Sequence, residues 1–209
     1  MSKTAWIYRG LAAVLFCLVF GMTATASPLT DQIASANTSA EKGQYTTTVR
    51  QLRVALQTAA GLQKTALLEY FPASFDDYVG ADLLDLSELP SEDSLAVLFA
   101  RHYQGPDGAF IDVNVVSDDA SVADLVALLD KPKTIPATSG WKKIKIKGNP
   151  GLERYLPKEA YAERNIRIGT ATVINMVGHD LKSLAVLDAF CERVNWAGLK
   201  EYLLRQTQQ

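Results

Sequence analysis

Apolar positions between residues 39 and 71 recur at spacings of three and four: Val49, Leu52, Leu56, Ala59, Ala60, Gln63, Leu67 and Tyr70, the adjacent alanines apart. That is one stripe on a 3.6-residue repeat and predicts helix. Gly43 and Gly61 divide the stretch into two or three pieces joined by tight turns, and Pro72 ends it. Residues 72–93 then change character. Asp76, Asp77, Asp82, Asp85, Glu88, Glu92 and Asp93 occur without a base, and Pro and Gly punctuate the run. An acidic surface connector with short helical turns is expected.

From residue 94 the period becomes two. SLAVLFARHY and AFIDVNVV flank Gly105-Pro106-Asp107-Gly108, and Ile111, Val113 and Val115 alternate with Asp112 and Asn114. This predicts a β-hairpin, with Pro and Asp at the centre of the turn and Gly supplying positive φ. ASVADLVALLD reads as a helix buried through Val122, Leu125, Val126 and Leu129, closed by Lys131-Pro132. WKKIKIK (141–147) alternates again, with Ile144 and Ile146 set against Lys143, Lys145 and Lys147. A turn at Gly148-Asn149-Pro150-Gly151, a partner strand LERYLP and one strand over 163–177 follow. Residues 180–204 close the chain as a helix carrying Leu184, Leu187, Cys191 and Val194. A break near Asn195 precedes a short helix carrying Trp196, Leu199 and Leu203. The expected class is α+β: a largely antiparallel sheet of about five strands packed by helices (β-β-α-β-β-β-α), behind a helical hairpin.

Residues 1–26 have a different pattern. Lys3 and Arg9 precede the apolar run Leu11–Met22, and Ala24-Thr25-Ala26 supplies small residues at a peptidase site. This is a secretory signal, with cleavage after Ala26 leaving Ser27 first. The run is short of the ~20 apolar residues of a membrane anchor. Cys17 lies inside the run and not at the cleavage point, which argues against a lipid anchor. The expected organisation is signal peptide 1–26, helical leader and acidic connector 27–93, and antiparallel sandwich domain 94–209. Cleavage leaves Cys191 as the one thiol, so the fold rests on an apolar core. With 48% hydrophobic residues and a formal charge of −2, the chain reads as globular and gives no sign of nucleic-acid binding.

Ala40-Glu41-Lys42-Gly43-Gln44-Tyr45 before Val49, Leu52, Ala55 and Leu56 resembles half of one tetratricopeptide unit, which implies a helical hairpin. The strand and helix order behind a signal resembles the PsbP-like and DcrB-like α/β sandwiches. It also resembles exported proteobacterial proteins ending in an Asp/Asn-aromatic-x-x-Leu helix, here Asn195-Trp196-Ala197-Gly198-Leu199. The resemblance implies a Gram-negative periplasm and a largely non-enzymatic group, and carries over no catalytic residue.

The chemistry-bearing residues are sparse. His102, His179 and Cys191 lack the spacing of a local zinc motif, and neither a G-x-S-x-G elbow nor a P-loop is present. Asp180, beside His179, reads as the N-cap of the helix after it. The acids of 76–93 do not follow a calcium-loop spacing. Cys191 shares a helix face with Leu187 and Val194 and reads as a buried filler. Lys142, Lys143, Lys145 and Lys147, flanked by Trp141 and Arg154, are either a patch for an anionic partner or guards on a sheet edge. A third arrangement sets these lysines against the acidic connector. No catalytic residue, metal or cofactor is assigned. The expectation is a non-catalytic interaction or accessory protein with a periplasmic protein partner, no nucleic acid and no anchor after cleavage. A small-ligand or lipid-binding module using a cleft between sheet and helices is the alternative. An enzyme built from His102, His179 and the acids of 112–119 is the third class.

Overall fold

The computed structural model describes residues 27–83, 97–117, 120–130 and 139–206. The expected signal segment 1–26, the acidic run from residue 84 to 96, Asp118-Asp119 and Lys131-Pro132 lie outside the described residues. Two compact units divide at Ala55 and Leu56.

The first unit holds α1 (Pro28–Glu41) and the start of α2 (Tyr45–Leu68). Ser27 caps α1, its hydroxyl accepting from the Thr30 N–H at 3.3 Å, and Pro28 takes the first helical position, where its missing N–H costs nothing. Gly43 turns the chain at φ +69°. The hairpin buries small residues, Ala36, Ser39 and Ala55, and is tied by Gln51 donating to Ser35 at 2.7 Å. Gly61 does not break α2, which runs through it without interruption. The expected stripe divides: Leu67 is fully buried, whereas Val49, Leu52 and Leu56 are exposed.

The second unit is one antiparallel sheet in the order β1-β2-β3-β4-β8-β7-β6-β5. The strands are β1 (Ser74–Phe75), β2 (Tyr78–Asp82), β3 (Val97–Gln104), β4 (Phe110–Ser117), β5 (Trp141–Ile146), β6 (Asn149–Leu156), β7 (Tyr161–Ile168) and β8 (Thr172–His179). The helices are α3 (Ala120–Asp130), α4 (Ala185–Arg193) and α5 (Trp196–Gln206). The α+β class, the helical hairpin and the antiparallel sheet thus stand, but the sheet has eight strands and not about five.

Two local features account for the difference. The described part of the connector supplies β1 and β2, which join the sheet through β3, Tyr78 pointing inward and Val79 outward. The stretch 163–177 is two strands, because Gly169 takes φ +64° and reverses the chain between β7 and β8. The tight turn before β6 falls at Lys147-Gly148, so Asn149, Pro150 and Gly151 already belong to the strand. Asp180 does not cap a helix: it bends the chain at φ +55°, and α4 begins only at Ala185.

One sheet face and the helices share the core. Phe99, Tyr103, Ile111, Val113, Val115, Ile166, Ile174 and Met176 meet Leu187, Phe190, Leu199 and Leu203. Phe190 packs its ring edge-on to Phe75 and Tyr103, at 5.2 and 5.0 Å between centroids. Cys191 is buried here, as its helix register requires. The Asn195 side chain accepts from the Gly198 N–H at 3.2 Å and caps α5, while Trp196 donates to the Cys191 carbonyl at 2.7 Å. The terminal Asn-Trp-x-x-Leu segment is therefore a structural clasp.

Candidate functional site: the open face of the sheet

Side chains alternate across a strand, so each residue facing the helices has neighbours facing away. Registered across β3, β4, β8, β7, β6 and β5, these outward residues form rows. The first row is largely aromatic: His102 from the row below leans to Phe110 at 5.1 Å, Phe110 stacks on His179 at 4.7 Å, and Tyr161 meets His179 edge-on at 5.3 Å. The middle row holds His102, Asp112, Val177, Glu163, Arg154 and Trp141. The third holds Ala100, Asn114, Asn175, Asn165, Leu152 and Lys143, of which Ala100, Asn165 and Leu152 are buried. The helix α3 packs on this face against β6, where Lys143 donates to the Leu129 carbonyl at 3.2 Å and Arg167 pairs with Asp130 at 2.7 Å.

The polar groups are oriented, not merely adjacent. Arg154 can only donate, and it gives Glu163 Oε2 a bond of 3.0 Å, joined by the Tyr161 hydroxyl at 2.9 Å. The other carboxylate oxygen, Oε1, accepts from the Asn165 amide at 3.1 Å. That leaves Asn165 Oδ1 to accept from Asn175 Nδ2 at 2.8 Å. The cation at one end thereby orients both amides along the relay. Burial raises the Tyr161 phenol above its usual pKa, helped by Glu163 and opposed by Arg154, so it stays a donor. The Arg154 guanidinium also lies over the Trp141 and Tyr161 rings, at 5.0 and 5.4 Å from their centres.

His102 is held between two acceptors. Its Nδ1 faces Asp112 Oδ1 at 2.7 Å, and its Nε2 faces Gln104 Oε1 at 3.2 Å. Gln104 spends its NH₂ on the Gly105 and Ala109 carbonyls at 3.3 and 3.1 Å, so its oxygen is the atom turned to the imidazole. Both ring nitrogens must donate to satisfy this arrangement, which favours the imidazolium. Burial works against that charge, but the bonds to Asp112 and Gln104 and the Asp112 charge outweigh it, and the pKa is raised.

The two histidines share this face, with the Phe110 ring standing between them. Among the described residues no three His, Cys, Asp or Glu side chains gather as a metal site. Burial pushes the Cys191 thiol pKa up despite the nearby Arg164, whose guanidinium donates to Sγ at 3.4 Å.

The four lysines separate. The edge strand β5 turns Lys143 and Lys145 to the open face and Lys142 to the helix side, opposite Glu153. Lys147 sits in the turn at φ +46° and pairs with Glu192 of α4 at 2.6 Å. The described connector acids lie at the opposite edge of the sheet. Asp82 pairs there with Lys64 and Arg101, and Asp76 with Arg193. Arg154 does flank Trp141, as their neighbouring register demands. The amide and acid relay was not visible beforehand: reading 163–177 as one strand loses the register that sets Glu163 and Asn165 beside Asn175. The alternation of β4 was the available signal, since it already turns Asp112 and Asn114 away from the core.

Among the described residues no helix is long and apolar enough to cross a membrane. Compared with protein-family models, curated proteins and solved structures, the chain matches none.

Proposed function

We propose that the protein is an exported, non-catalytic accessory protein of the periplasm that acts by binding through the open face of its sheet. The observation that carries this reading is the oriented relay Arg154–Glu163–Asn165–Asn175, which runs from the middle row to the third, a set of polar atoms held in place before any ligand arrives. The secretory pattern of residues 1–26 supports export, and the resemblance to PsbP-like and DcrB-like exported proteins supports a binding role.

Three features favour binding over catalysis. Both nitrogens of His102 are engaged, Phe110 separates it from His179, and the Cys191 thiol is buried. A cleft between sheet and helices is a poorer place for a ligand, because Phe190, Leu187, Leu199 and Leu203 fill that side. The ligand-binding alternative therefore moves to the open face. Lysines 142–147 fit the edge-guard role on β5, two of them being engaged within the chain.

In-cell photocrosslinking tests the reading. A benzophenone amino acid at Val177, in the middle row, is expected to give a reproducible adduct in the periplasmic fraction. The same probe at exposed Glu201 on α5 is expected to give none. Equal labelling from both positions, or none from Val177, contradicts it.

A further inference from the structure

We propose that the helical hairpin of the first unit is a self-association surface, covered by the hairpin of a second copy of this chain. This surface is separate from the open face of the sheet and does not depend on that face's role.

The contact between the two helices is thin. Ala36 and Ser39 of α1 and Ala55 of α2 are its buried residues, and Gln51 crosses to Ser35 at 2.7 Å. The side-chain oxygens of Gln32 and Gln51 are buried as well, without a hydrogen-bond partner among the described residues. Small and amide side chains bury little apolar area. A helix of 14 residues, the length of α1, is marginal in water unless an apolar face is packed against something.

The larger apolar side chains stand outside that contact, yet on one side of the hairpin. Ile33, Tyr45, Val49 and Leu52 are 49% to 72% exposed. Each residue turns about 100° around a helix, so in two antiparallel helices the residue after a contact position faces the same side on both. Ile33 follows Gln32 on α1, and Leu52 follows Gln51 on α2. Tyr45, Val49 and Leu52 succeed one another at spacings of four and three, the seam by which one helix packs along another. Among the described residues of the unit, Val54 alone of the exposed large apolar side chains lies off this side.

Charge names the occupant. Within the first unit α1 carries acids only, Asp31 and Glu41, and α2 bases only, Arg50 and Arg53. None of the four forms an ion pair among the described residues. By helical register Glu41 borders the apolar side along α1 and Arg53 borders it along α2. A partner of one sign would suit one border and be repelled by the other, whereas a second copy presents both signs. A two-fold axis along the hairpin lays each α1 over the second copy's α2. Acidic helix then lies beside basic helix, with all neighbours antiparallel, as in a four-helix bundle. Because Gln51 meets Ser35, Ile33 and Leu52 lie at nearly the same height, and this axis sets each Ile33 over the second copy's Leu52.

Sedimentation equilibrium of the full chain over a range of concentrations tests this. A reversible dimer is expected, with amide exchange over α1 slowing as the dimer fills. Leu52→Glu changes a side chain already exposed in the single chain. It should weaken the dimer by at least about tenfold and leave urea unfolding of the sheet unit unchanged. A mixture of Ile33→Cys and Leu52→Cys chains should form an intermolecular disulfide faster than either variant alone. A chain that stays monomeric at every concentration overturns the proposal, whether or not another protein then proves to cover Leu52. A dimer that Leu52→Glu leaves intact lies elsewhere and also overturns it. So does faster crosslinking of either variant alone than of the mixture, which rules out this two-fold arrangement.

Discussion

At the scale of the residue, His102 shows how a few neighbours decide a protonation state. Its raised pKa has a signed consequence for stability. The folded state holds the proton more tightly than the unfolded chain, whose imidazole titrates at about 6.5. The stabilisation is therefore complete below that value and is lost as pH rises through the folded pKa. The expected measurement is a fall in the denaturation midpoint as pH rises across that window. Asp112→Asn should shrink the fall, because the negative charge leaves and only a neutral amide oxygen remains to accept. An NMR titration should place the His102 ring above its usual pKa in the parent and lower in Asp112→Asn. A variant titrating like the parent would refute the pairing.

Arg164 presents the opposite case, a cation on the helix side. It is 2% exposed and bridges Glu153 of β6 and Asp188 of α4. Burial disfavours its charge, but Cys191, Glu153 and Asp188 together overcome this and raise its pKa. Magnitudes separate the two partners. The Glu153 side chain is 13% exposed and that of Asp188 63%. Breaking a buried pair costs about 3–5 kcal/mol, whereas a mostly exposed one is worth about 0–1 kcal/mol. Urea denaturation should therefore find Glu153→Ala costing about 3 kcal/mol and Asp188→Ala under about 1 kcal/mol. Equal costs would contradict the assignment of the bridge to Glu153.

At the scale of the element, local pattern and tertiary pairing divide the work. The hairpin β3–β4 was readable because Ile111, Val113 and Val115 alternate with polar residues on either side of a Pro-Asp-Gly turn. The terminal helices were readable for the same reason, Leu187, Cys191 and Val194 lying on one face. The strand β2 was not, since Tyr78-Val79-Gly80-Ala81-Asp82 carries a glycine and an acid and has little strand preference of its own. Pairing with β3 makes it a strand, and Gly80 is required because a Cβ there would strike Arg101, Tyr103 and the Ala73 carbonyl. Helix α1 was legible only as part of the helical leader and its hairpin, without bounds of its own: its start is marked by Ser27-Pro28, but its apolar positions are too few to show a period. Ser27→Ala should lower the stability of that helix by about 1 kcal/mol, read as faster amide exchange over its first turn. Unchanged exchange there would mean that the cap contributes nothing.

At the scale of the molecule, the two faces of the sheet differ in what they carry. One face is spent on the core, and Phe190→Ala at its centre should cost about 3–5 kcal/mol in thermal or chemical unfolding. The other face carries, beside the buried Ala100, Leu152 and Val173, a set of polar side chains. Of these, sequence alone shows His102, Asp112 and Asn114 turned outward, while their assembly with Glu163, Asn165 and Asn175 depends on a strand order that brings β4, β8 and β7 side by side. That juxtaposition is a property of the fold and not of any local motif.

The most direct test of this division is to map shift changes on ¹⁵N-labelled full chain when concentrated periplasmic extract is added. Changes gathered on β4, β8 and β7, at Asn114, Asn175 and Val177, with α4 and α5 unmoved, are the expected result. Changes centred on α4 and α5, with the open face silent, would contradict the account.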